Sequence, residues 1–191
     1  MRSTASIALA LLMVLGAVTL TSADQTAADR FTFARPPAPA STVDPQDRLS
    51  VVVDRWSSDQ ERDRLLGVIG ESGQARLLDA FWNVGRVSTM NWPGGLEYAV
   101  RYARRSARPD GGTDVVLVVE RPLWMWWDAK IGSTDYPFTV VQLRLDKEGK
   151  GEGRVSFGVP IGSDKAIGVV LSDYAKAPAV LTDVRRERVN G

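Results

Sequence analysis

"VVLVVERPLWMWW", residues 115–127, is the stretch on which the reading of the chain turns. Five aliphatic residues open it, and Trp124, Trp126 and Trp127, half of the six tryptophans, close it. An apolar run without alternation is the pattern of a strand covered on both faces. As a strand, it sends Trp124 and Trp126 to one side and Met125 with Trp127 to the other. One pair at most can then meet a ligand. The other is expected to pack under helices, with Leu77, Phe81 and Trp82 as its partners.

Outward from this run the period is two. "LEYAVRY" (96–102) sets Leu96, Tyr98, Val100 and Tyr102 against Glu97, Ala99, Arg101 and Ala103, and "RPDGGTD" (108–114) supplies turn residues. Downstream, "PFTVVQLRL" (137–145) alternates and "DKEGKGEG" (146–153) turns. "RVSFGVPI" (154–161) then carries Val155, Phe157, Val159 and Ile161 in step, and "AIGVVLSDY" (166–174) and "AVLTDVRRE" (179–187) read as two further strands. Short strands joined by Gly-rich turns predict an antiparallel meander.

Upstream, "RLSVVVDRW" (48–56) suits a strand, and "SSDQERDRLLGVIGESG" (57–73) changes to a helical pattern. Ser58 and Glu61 have the spacing of a capping box, in which each side chain serves the other's backbone N–H. Leu65, Leu66 and Ile69 form one stripe, and Gly73 is placed to end the helix. "QARLLDAFWNVG" (74–85) predicts a second helix. The expected fold is α+β: a leading strand, two short helices, then a curved antiparallel meander sheet of about six or seven strands. In element order this resembles the opening of the helix-grip fold, where a curved sheet wraps around helices and often leaves a ligand cavity. No long C-terminal helix follows the last strand, a departure from that pattern.

The first 23 residues have the three parts of a secretory signal: Arg2, an apolar stretch from Ile7 to Leu20, and Thr21-Ser22-Ala23 as the cleavage site. The expected location is therefore secreted or periplasmic. Residues 24–47 are rich in Ala, Thr and Pro and read as an extended linker, where Phe31 and Phe33 allow a short edge strand that Pro36 stops. Residues 48–191 are expected to form a single domain, large enough to be stable on packing alone.

Removing residues 1–23 takes away Arg2 and no acid, leaving 23 basic and 23 acidic side chains. A neutral total argues against nucleic acid or an anionic membrane as partner. No later stretch is long and apolar enough for stable membrane insertion once the signal is gone. The chain has no Cys and no His. That excludes disulfides, thiol redox chemistry, Cys/His zinc sites and every His-dependent nucleophilic mechanism.

No phosphate-binding glycine loop or cofactor motif is present. "DKEGKGEG" lacks the ligand set of a calcium loop, so no metal site is expected. Ser163, Asp164 and Lys165 together read as a turn. What remains is an exported, non-catalytic binding or interaction domain. Its partner would be a small ligand or an envelope protein, met through Trp92, Trp124, Trp126, Trp127 and Asp128. One alternative is a carboxylate-based, glycosidase-like hydrolase using Asp128 and Asp135 beside the tryptophans. Another is a structural envelope protein whose aromatic patch meets a neighbour.

"DYPFTVVQLRLDKEGKGEGRVSF" (135–157), with "ERP" (120–122) upstream and "LTDVRRE" (181–187) near the end, resembles a group of exported bacterial proteins of uncharacterised function. The resemblance implies export and a single domain. It carries over no catalytic residue.

Overall fold

The computed structural model describes residues 28–34, 48–92, 96–121, 138–157, 161–176 and 179–189. Eight strands form one closed antiparallel barrel. They are β1 (Ala28–Ala34), β2 (Arg48–Val53), β3 (Ser88–Trp92), β4 (Leu96–Ala107), β5 (Thr113–Val119), β6 (Thr139–Leu145), β7 (Lys150–Phe157) and β10 (Ala179–Val189). Around the barrel the order is β1-β10-β7-β6-β5-β4-β3-β2, and β2 pairs with β1 to close it. β8 (Ile161–Asp164) and β9 (Gly168–Leu171) form a separate two-stranded hairpin.

The expected open meander of six or seven strands is therefore corrected to a closed barrel. The closing piece is β1, in a segment whose composition reads as linker. It pairs with β10 on one side and β2 on the other, so it is no edge strand. Phe31 and Phe33 point inward, each 1% exposed. Closure also removes the unpaired backbone row that an open sheet would present. β10 accommodates it with a bulge between Leu181 and Val184, where Asp183 takes a left-handed φ of 48°. Arg48 holds the Asp183 carboxylate from one side, and Arg185 Nε donates to it from the other at 2.8 Å.

The barrel interior is filled. Phe31, Phe33, Leu49, Met90, Leu117 and Leu143 are all fully buried in one apolar cluster. An eight-stranded barrel is just wide enough for side chains to occupy its axis. β7 shows how tight the fit is: a Cβ on Gly153 would come within 2.7 Å of Leu143 Cδ2 and 3.1 Å of Leu181 Cβ. The ligand cavity implied by the helix-grip resemblance is thus taken up by the core. One mouth carries buried Asp29, whose carboxylate accepts from Arg105 Nη1 at 3.0 Å and Arg186 Nε at 2.8 Å. Trp56 packs edge-on against Phe31 beside it, under the Arg105 guanidinium.

The helices lie outside, on β4–β6. α1 (Asp59–Ser72) begins at the expected capping box, with Glu61 N donating to Ser58 Oγ at 3.2 Å and Ser58 N to Glu61 Oε2 at 2.7 Å. It ends at Gly73, whose φ of 62° suits glycine. A 3-10 turn, Gly73–Arg76, leads to α2 (Leu77–Trp82). Leu65, Leu77 and Phe81 pack on Tyr102, Val116, Val118 and Val140 as a second apolar cluster.

Two expected alternations are broken. A bulge between Val100 and Tyr102 changes the parity of β4, so Val100 faces the barrel core while Tyr102 faces the helices. "RVSFGVPI" is not one strand either: β7 ends at Phe157 in the barrel, and Ile161 starts β8 in the hairpin.

Candidate functional site

The outer face of β4–β6 and the hairpin enclose a groove of about 430 Å³. Its floor is a cross-strand row on the outer face: Ser106 on β4 is paired with Asp114 on β5, and Asp114 with Arg144 on β6. Strand alternation puts these there, because Val115, Leu143 and Leu145 on either side point into the barrel. Gln142 completes the floor, and Ala166, Ile167, Val170, Leu171 and Tyr174 form the roof.

Three hydrogen bonds tie the roof to the barrel. The Tyr102 hydroxyl donates to Ile167 O at 2.7 Å, Arg104 Nε to Ala166 O at 2.9 Å, and Leu171 N to Gln142 Oε1 at 3.2 Å. Gly168, with φ of 91°, lies over the Tyr102 hydroxyl, where any Cβ would collide with it. The hairpin turn is held by Asp164, whose Oδ1 accepts from Ala166 N at 2.8 Å and Ile167 N at 3.0 Å. The turn read from Ser163, Asp164 and Lys165 is what these atoms make.

Polar chemistry is concentrated around the groove. Asp114 and Arg144 form a loose ion pair, Oδ1 to Nε 3.9 Å, with side chains 28% and 45% exposed. The Arg144 guanidinium lies 4.0 Å from the Tyr174 ring centroid, and that of Arg154 lies 5.3 Å from it. Buried side-chain atoms lacking a hydrogen-bond partner among the described residues are Asp114 Oδ1, Arg154 Nε, Ser156 Oγ and Tyr174 OH. Two belong to groove residues, and a third to Arg154, whose guanidinium lies over the Tyr174 ring. Burial raises the Asp114 carboxyl above the ordinary aspartate range, against the pull of Arg108 and Arg144. Burial, and then the Glu152 carboxylate, push the Tyr174 phenol up to about 12, so it remains a proton donor at any ordinary pH.

No protein-family model matches this chain, and neither a curated protein nor a solved structure matches it. The site has to be read from its own residues.

Among the residues singled out in the sequence, Trp124, Trp126, Trp127, Asp128 and Asp135 lie outside the described residues. The Trp92 backbone ends β3, paired with Leu96, and its side chain lies outside the description too. Of the expected helix packing partners, Leu77 and Phe81 are buried. Phe81 contacts Phe138 at 5.7 Å and Tyr102 at 6.4 Å between ring centroids, a cluster without tryptophan among the described residues. Trp82 is 50% exposed, with Arg101 over its ring at 5.4 Å.

Sequence reasoning passed over Asp114, Gln142, Arg144 and Tyr174. One signal was present: in "TVVQLRL" the outer-face residues after Val140 are Gln142 and Arg144, polar side chains on a face the helices otherwise make apolar. No group of three or more metal-ligating side chains occurs among the described residues. Donors, acceptors and a stacked aromatic ring under an aliphatic roof suit reversible binding of a small molecule.

Proposed function

We propose that this chain is an exported, non-catalytic binding domain that takes a small polar molecule in the groove between β4–β6 and the β8–β9 hairpin. The observation that carries the reading is that two buried polar atoms without a partner among the described residues, Asp114 Oδ1 and Tyr174 OH, belong to residues lining this groove, with Arg154 Nε on the arginine beside the Tyr174 ring. Away from the groove, buried Asp29 and Tyr102 are bonded, and Ser156 Oγ is unbonded among the described residues. A buried group left unpaired costs about 1–3 kcal/mol, so such a cluster is a poor stability device and a reasonable binding one.

The test is a small-molecule fragment titration followed by two-dimensional NMR of the labelled protein. Binders should shift the amides of Asp114, Gln142, Arg144 and Tyr174. Shifts confined to the tryptophan indoles would overturn the groove and return the site to Trp92 and Trp124–Trp127. Export is tested separately by intact mass of protein recovered outside the cytoplasm, which should begin at Asp24.

A second reading, a hydrolase using two carboxylates, is favoured by one observation: Asp114 and Asp164 both line the groove, and burial shifts the Asp114 carboxyl upward, the direction a general acid needs. It requires glycoside turnover that disappears in Asp114→Asn. Binding without turnover leaves the first reading standing.

A further inference from the structure

We infer that the groove accepts a small zwitterion with an aliphatic flank, of the α-amino-acid type, its ammonium on Asp114 and its carboxylate on Arg144. This rests on the groove being the ligand site. Three features point to that class.

The first is the placement of opposite charges. Asp114 and Arg144 are direct register partners on neighbouring strands, which lie about 4.8 Å apart. An α-amino acid carries its two charges on one carbon and presents them at a comparable, short separation. A molecule with a single charge would satisfy one partner and leave the other in a half-covered groove.

The second is that the pair is incompletely made. At 3.9 Å its atoms are in ionic contact but not hydrogen-bonded, and Asp114 Oδ1 has no donor. An ammonium supplies the missing donors to the carboxylate. The guanidinium, released from a weak contact, can take a carboxylate in the forked geometry it prefers. Opening a partly exposed ion pair of this kind sacrifices little. The Tyr174 ring, stacked on Arg144 at 4.0 Å with Arg154 near it, restrains the guanidinium plane for that task.

The third is the roof. Ala166, Ile167, Val170 and Leu171 line the same groove as the charged floor, so aliphatic atoms are at hand to cover an apolar side chain whose two charges are met below. Gln142 Oε1 is engaged by Leu171 N, and the Asp164 carboxylate that also lines the groove by Ala166 N and Ile167 N, which leaves Asp114 and Arg144 as the charged pair on the floor not engaged by backbone.

The experiment compares leucine, 4-methylpentanoate and 3-methylbutylamine by calorimetry and NMR on the signal-free chain. The three share the aliphatic part and differ in which charge they carry. Leucine should bind, and loss of either charge should weaken binding by about tenfold or more. Asp114→Asn should erase the preference for leucine over 4-methylpentanoate, and Arg144→Met the preference over 3-methylbutylamine. The wild-type comparison alone decides the matter if a variant fails to fold. Equal binding of all three in the groove, or tighter binding of a singly charged one, overturns the zwitterion and leaves the groove as a ligand site. Groove shifts with other fragments but none with these three also overturn the zwitterion. No shifts at Asp114, Gln142 or Tyr174 with any fragment or probe overturn both.

Discussion

Strand β5 serves two cores at once. Val115, Leu117 and Val119 point into the barrel, and Val116 and Val118 point outward beneath the helices and the hairpin. Both sides are apolar and fully buried, yet they differ in kind. The inner core is enclosed by backbone paired all the way round, and the one deeply buried charge among the described residues, Asp29, sits at a mouth between two arginines. The outer core is enclosed by elements that merely lean on the sheet, attached through Tyr102, Arg104 and Gln142. It is along this second core that polar atoms are left unpaired. The contrast teaches that continuous strand pairing secures the fold, and the looser layer outside it is where a site can be built.

That contrast can be broken most directly by removing β1. A chain beginning at residue 48 would leave β10 and β2 each with one unpaired edge, paired only to β7 and β3, and would remove Phe31 and Phe33 from the core. It should fail to fold, giving poorly dispersed amide resonances; a folded product would mean that the barrel closes without β1. Next in size is Leu117→Ala, which empties the centre of the inner core and should cost about 2–5 kcal/mol in urea denaturation. A loss below about 1 kcal/mol would mean the interior collapses as readily as a surface layer.

The outer layer is sharpened by smaller changes. Tyr102→Phe deletes the bond to Ile167 O and should cost about 1 kcal/mol, with faster amide exchange confined to residues 161–171 if the hairpin is a separable unit. Uniform loss of protection would join the two layers into one. Ser58→Ala should also cost about 1 kcal/mol, because the capping box at the start of α1 is complete.

The smallest effect is also the one whose sign is least intuitive. The folded-state pKa of Asp114 is raised, so its ionised form is disfavoured by folding. Its unfavourable contribution is absent below the unfolded pKa and grows as pH rises through the folded value. Asp114→Asn should therefore stabilise the chain near neutral pH, with the gain fading in acid. Denaturation midpoints measured at both pH values check this, and a variant less stable than wild type at neutral pH would make the Arg144 contact the dominant one.

The candidate site was poorly legible in the sequence for a physical reason. Asp114, Gln142 and Arg144 look like ordinary outward-facing polar residues on alternating strands. Only the hairpin laid over them turns an exposed face into a groove, and sequence spacing contains no record of which strand a hairpin covers. Clustered tryptophans are the stronger signal in the sequence because they are large and stand together. The aromatic cluster that meets the helices among the described residues is Phe81, Tyr102 and Phe138.

What the sequence by itself determined was local. Ser58, Glu61 and Gly73 specified where α1 begins and ends, since caps act within a turn of their own position. Of the apolar run read at 115–127 as a strand covered on both faces, Val115–Val119 are such a strand, and residues 122–127 lie outside the described residues. The absence of Cys and His ruled out whole classes of chemistry, since those reactions need those atoms. Barrel closure, the parity change at Tyr102 and the groove were decided by tertiary structure alone. Each depends on a partner distant in sequence: β1 on β10 more than 140 residues away, Tyr102 on Ile167, and Asp114 on a hairpin whose turn is built around Asp164. Pattern reports which face of a strand is apolar, and only packing decides what comes to cover it.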